Sequence, residues 1–216
     1  MFQSIAEIIF DSSYLILITA IGILILKKAT ENAFRIFGLM SLILVLGDSF
    51  HLIPRIIALA TDGLENHTEE LGFGTFIASI SMTLFYVLLY HFAVKRYRLN
   101  HKLTIWIYGL AIVRIILCFF PQNQWQSENP PIEWAIYRNI PFAILGILMM
   151  VLFYHQSRLH KDKNFKNMWL AIFLSFAFYL PVVLFANQFP IIGTLMIPKT
   201  IAYIWMILMG WKALRI

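Results

Sequence analysis

Asp48, His51 and Arg55 are separated by three and then four residues, a spacing that sets side chains on one face of a helix. Ser41, one heptad before Asp48, extends the same stripe. The stripe is embedded in apolar sequence, as are Arg114, the adjacent Arg138 and Asn139, and Lys199. A charged side chain at the centre of a membrane-spanning helix costs about 2.5–3.5 kcal/mol on insertion scales, so it is retained for pairing, for water or for a ligand. One acid, Asp48, stands against Arg55, Arg114, Lys199 and Arg138. An excess of cations in low dielectric calls for counter-charge or water. Arginine meets a carboxylate or phosphate through two parallel N–H donors. The expected chemistry is capture of a small polar, anionic ligand by Asp48, His51, Arg55, Arg114, Arg138, Asn139 and Lys199. The plainer alternative is that these groups pair among themselves and only orient the helices. Asp48 would then neutralise one cation, and Arg55 and Arg138 would reach outward to lipid headgroups.

The elements that hold these residues follow from composition. Of 216 residues, 60% are hydrophobic and 13% are charged, with a mean hydropathy of +0.76. A soluble domain carries about twice that charged fraction. The apolar residues fall into seven stretches, at 9–26, 34–60, 73–94, 103–121, 134–154, 168–186 and 191–211. Each is long enough for a bilayer-spanning helix. The expectation is an all-α, polytopic membrane protein with seven transmembrane helices in a single domain over residues 1–216. Acidic Glu7 lies ahead of the first stretch and Asp11 at its start, and Lys27 and Lys28 follow it, the reverse of a cleavable signal's charge order.

Lysine and arginine favour the cytoplasmic side. Lys27, Lys28, Arg35, Lys95, Arg96, Arg98, Lys102, Arg158, Lys161, Lys163, Lys166, Lys212 and Arg215 all fall on one side of the seven spans. The opposite connections carry Asp62, Glu65, Glu69, Glu70, Glu128 and Glu133. The N-terminus is therefore expected outside and the C-terminus in the cytoplasm of a cell membrane, with the lipid bilayer as the principal partner. The net charge of +6 is mainly this topology signal. Cations divided among short loops give a nucleic-acid partner little support. Cys118 is the only cysteine, so no intramolecular disulfide forms. Asn66-His67-Thr68 fits a glycosylation sequon.

Spans one to three and five to seven start on the same side and admit a parallel three-plus-one-plus-three repeat. Residues 20–24 resemble 143–148, residues 50–54 resemble 178–181, and residues 74–76 resemble 193–195, in order. Topology, size and this repeat resemble the broad group that includes SWEET and PQ-loop sugar or metabolite carriers and the microbial rhodopsins. The carrier likeness implies a substrate site between repeats near the midplane. Pro121-Gln122 is a Pro-Gln pair, but it follows span four rather than lying where PQ-loop proteins carry theirs. The segment Gly47 to Arg55 is similar to one in short, uncharacterised bacterial seven-helix proteins, a likeness that implies no activity. Lys199 in the seventh span resembles the retinal-bearing lysine of rhodopsins, and Tyr179-Leu180-Pro181 their aromatic-proline stretch. Residues 73–94 contain no Asp or Glu to act as the usual counterion, and Pro198 is foreign to that pattern. No covalent chromophore is expected.

Ser79, Thr83, Tyr86 and Tyr90 form a polar-aromatic stripe on span three, suited to interhelical packing or to lining a cavity. Pro54, Pro141, Pro181 and Pro198 lie within or near the ends of their spans and are expected to kink them. Trp125, Trp134, Trp169 and Trp211 fit interfacial belts. A lipid-modifying enzyme is the alternative class. Seven-helix hydrolases of the alkaline ceramidase type use several intramembrane histidines with an aspartate around zinc. Here only His51 lies in the polar cluster, so neither a metal nor a cofactor is expected. An Asp48–His51 dyad would be the remaining catalytic candidate.

Overall fold

A computed structural model describes residues 2–186 and 188–214; Arg215 lies outside the described residues. Among these residues there are helices and no strands. The helices are α1 (Phe2–Lys28), α2 (Asn32–Ala60), α3 (Thr68–Tyr97), α4 (Thr104–Phe119), α5 (Ile132–Leu159), α6 (Met168–Phe185) and α7 (Met196–Leu214). Short 3-10 turns precede α3, α4 and α7 and follow α4. Seven helical segments are long and apolar enough to cross a membrane. Short connections make sequential helices neighbours. α7 closes the ring on α1, and α3 also reaches α5.

The ends of the bundle differ in charge. Lys27 and Lys28, Lys95 and Arg96, Arg158, and Lys212 occupy the last turns of α1, α3, α5 and α7. Cations there complement the helix dipole. Glu69 and Glu70 begin α3 and Glu133 begins α5, at the other end. The bundle thus has a basic end and an acidic end. The outer surface is apolar: Ile16, Ile105, Trp106 and Ile191 are all exposed.

The basic half is filled with aromatic rings. Phe92 meets Phe37 and Phe165 with centroids 4.9 Å from each, and Phe34, Phe37, Phe153 and Phe165 are all buried. Phe165 comes from the α5–α6 connection, which folds inward as a plug. Asp162 in that connection accepts from Arg96 Nε at 3.1 Å and from the Tyr97 hydroxyl at 3.3 Å. Its other oxygen accepts the Asn164 amide at 3.1 Å. The Arg96 guanidinium lies 5.8 and 5.7 Å from the Phe34 and Phe165 rings.

Tight seams tie α2 to α3. Pro54 within α2 lacks the N–H that would bond the Phe50 carbonyl. A Cβ on Gly74 of α3 would lie 2.2 Å from that same oxygen. Glycine therefore lets α3 approach the irregular turn, as small residues do between membrane helices. The span-three stripe is used for packing. Ser79 and Thr83 bond their own helix's carbonyls, Tyr86 meets Ser175, and Tyr90 meets Thr104.

Two expectations about the spans change. Helix α1 starts at Phe2, so Glu7 and Asp11 lie inside it rather than at its edge. The seventh stretch, expected to start at 191, becomes α-helical only at Met196, because residues 190–195 form a 3-10 turn, and Lys199 is the fourth residue of α7. Pro54, Pro141 and Pro181 are inside helices, while Pro198 sits in the first turn of α7.

Candidate functional site

Asp48 and Arg55 are seven residues apart and within about 20° of each other around α2, whereas His51 is about 60° away. The stripe therefore divides between two neighbours. Asp48 accepts the Tyr14 hydroxyl of α1 at 2.5 Å. Arg55 donates to Glu7 of α1 at 2.6 Å and lies 3.9 Å from Asp11. His51 turns to α3, with Nδ1 3.1 Å from the Leu71 carbonyl and 3.2 Å from Thr75 Oγ1. A carbonyl only accepts, so Nδ1 carries the proton. No hydrogen bond joins Asp48 and His51, so the candidate dyad of the enzyme alternative is not assembled.

These contacts correct the charge balance. Asp48 was expected to stand alone against four cations, but Glu7 and Asp11 also face the interior and hold Arg55. Arg55 is thus a wall component of the α1–α2 pair. Four of the relevant side chains, Glu7, Asp11, Tyr14 and Arg55, form one polar seam with Asp48. The sequence signal was present: Glu7 and Asp11 are four residues apart, on one helical face.

Arg138 and Asn139 have positioning contacts. Asn123, which is fully buried, donates through Nδ2 to the Leu117 and Phe120 carbonyls at 2.7 and 2.8 Å. Trp125 Nε1 donates to the Cys118 carbonyl at 2.9 Å. Together they satisfy the exposed carbonyls at the end of α4. Arg138 donates to Asn123 Oδ1 at 2.8 Å and lies 4.2 Å from the Trp125 ring centroid. Its guanidinium therefore supports that cap, and it also lines a pocket of about 220 Å³ with Thr68, Thr75 and Ser127 at the acidic end. Asn139 donates to the Ala135 carbonyl and accepts the Tyr179 hydroxyl at 2.9 Å. That bond fixes a ring whose centroid is 5.0 Å from Lys199 Nζ. Tyr203 presents its ring to the same ammonium at 5.7 Å.

No family model, curated protein or solved structure matches this chain. The site is therefore defined by its own geometry.

Arg114 is the most unusual group. It is 1% exposed, and its guanidinium lies 3.3 Å from the Phe142 ring centroid. Its Nε and Nη1 are buried without a hydrogen-bond partner among the described residues. The ring supplies a cation–π contact, but among the described residues no carboxylate forms an ion pair with Arg114. Lys199 lies within electrostatic range of both Arg114 and Asp48, without a direct ion pair to either acid seam or loop. Tyr203 is likewise in range of Arg114 and Asp48. The expected residues thus separate by role. Lys199 lies over the Tyr179 and Tyr203 rings, within electrostatic range of Asp48 and Arg114. Arg55, His51, Arg138 and Asn139 hold the surrounding helices. Among the described residues, no three His, Cys, Asp or Glu side chains come together to hold a metal ion.

Proposed function

We propose that the seven helices cross a cell membrane, N-terminus outside and C-terminus in the cytoplasm, and bind a small polar ligand bearing a carboxylate or phosphate. The protein acts as a receptor or transporter whose site faces the acidic, outer side. The observation that carries this is Arg114: a fully buried guanidinium with two unpartnered N–H-bearing nitrogens. Burying such donors without an acceptor costs free energy that an oxyanion recovers. Lys199 adds a second positive charge, with the Tyr179 and Tyr203 rings beside it. The apolar outer surface and the separation of acidic from basic connections support membrane insertion in this orientation. Consecutive packing of α1–α2–α3 and of α5–α6–α7, with α4 between, is compatible with a three-plus-one-plus-three duplication.

The test is binding to the purified full chain in lipid nanodiscs, titrated with acetate and with inorganic phosphate at constant ionic strength. One of these anions is expected to bind and raise the melting temperature. In Arg114→Gln the contact loss of about 2 kcal/mol or more weakens that binding about thirtyfold. An equal response in parent and variant, or none from either anion, removes the anion site. Uptake of the bound anion into sealed vesicles identifies a transporter, and binding without uptake a receptor.

A further inference from the structure

Two features of the interior remain beyond an anion site. The first is that its charges are sorted by wall. Glu7, Asp11 and Asp48 lie on α1 and α2, where Arg55 offsets only one of the three, whereas Arg114, Arg138 and Lys199 lie on α4, α5 and α7. The second is that an unpartnered buried polar atom occurs on both walls. Asp11 is 9% exposed, and its Oδ2 has no hydrogen-bond partner, opposite in sign to the unpartnered Arg114 nitrogens. Its nearest ion-pair contact, Arg55 Nε, is 3.9 Å away and Arg55 is held more closely by Glu7.

We propose that the ligand is a zwitterion, its carboxylate set against Arg114 and its ammonium against the Asp48–Asp11 wall. This rests on the anion site proposed above and names its substrate class. Asp48 is suited to the ammonium end: Tyr14 occupies one carboxylate oxygen, and the other has no hydrogen bond among the described residues. Lys199, whose ammonium lies 5.0 Å and 5.7 Å from the Tyr179 and Tyr203 ring centroids, is in electrostatic range of both Asp48 and Arg114. A plain anion satisfies Arg114 and leaves the acid wall facing it. A zwitterion supplies each wall with its opposite charge, and the desolvation of both walls is then compensated. Access points the same way. The acidic end carries Asp62, Glu65, Glu69, Glu70, Glu128 and Glu133. Their field repels an approaching anion far more strongly than a molecule whose two charges cancel.

The experiment compares matched ligands on the full chain in phosphatidylcholine nanodiscs. Glycine, β-alanine, γ-aminobutyrate and 6-aminohexanoate are titrated beside acetate, propionate, butyrate and hexanoate. The series scans the distance between charges. At least one amino acid is expected to bind about tenfold or more tighter than its carboxylate counterpart. Asp48→Asn is expected to bring the pair within about twofold, chiefly by weakening binding of the amino acid. If Asp48→Asn does not fold, Asp11→Asn is measured for the same narrowing. Carboxylates binding as tightly as their amino acids overturn the zwitterion and leave the anion site standing. Failure of both series, with acetate and phosphate also inert, overturns both proposals. An unchanged preference in the folded Asp variant overturns the assignment of the acid wall.

Discussion

Asp162 at the basic end and Arg114 in the acidic half are both charged groups withdrawn from water, and the protein treats them oppositely. Asp162 is satisfied at both oxygens, by Arg96 and Tyr97 on one and by the Asn164 amide on the other. The surrounding Phe34, Phe37, Phe92 and Phe165 rings close that end. Arg114 has an aromatic ring beneath it and two unpartnered nitrogens. A charge whose hydrogen bonds are complete fastens helices together. A charge buried without them lowers stability unless a ligand or water supplies them.

The largest stability effect that separates these roles is expected at Asp162. Asp162→Ala removes an acceptor for two side chains and releases the plug carrying Phe165. Hydrogen bonds to charged groups contribute about 1.5–3 kcal/mol, and the loss should fall there, since Arg96 is only partly buried. Unfolding in mixed micelles measures it, and a change indistinguishable from zero would mean the latch is ornamental.

A smaller effect of opposite sign is expected at Arg114. Arg114→Met exchanges an unpaired charge for an apolar side chain of similar length above Phe142. Such replacements are neutral or stabilising, here by about 1 kcal/mol. The same unfolding assay should show stability held or raised while acetate or phosphate binding is lost. A destabilisation as large as that of Asp162→Ala would make Arg114 a structural fastener, and the contrast between the two ends would disappear.

Much of the fold was legible because span length, apolar content and the one-sided lysines and arginines are properties of sequence alone. Arg114 and Lys199 also stood out, as rare charges in apolar surroundings. What the sequence concealed was partnership. Glu7 and Asp11 looked like polar residues at the edge of a span, yet α1 continues to Phe2 and turns both toward Arg55. His51 shared a stripe with Asp48, but a 60° offset on α2 is enough to assign it to another helix (about 100° per residue). Arg138 resembled a ligand contact because nothing in linear sequence joins it to Asn123, fifteen residues earlier, which folds back to cap α4. Tyr14 was unremarkable until α1 and α2 were placed side by side. Helix boundaries and rotational phase carry the difference, and both are fixed by tertiary packing.

The central claim is that the acidic half is reached from outside and the basic half is sealed. Side-specific thiol labelling tests it most directly. In a Cys118→Ser background, Lys199→Cys and Phe165→Cys are exposed in turn to a membrane-impermeant thiol reagent, in intact cells and in inside-out vesicles. The account predicts that Lys199→Cys reacts in intact cells, is protected there by a bound ligand, and stays unreactive in inside-out vesicles. Phe165→Cys is predicted to be unreactive in intact cells. Labelling of Lys199→Cys only in inside-out vesicles, or of Phe165→Cys in intact cells, would contradict it.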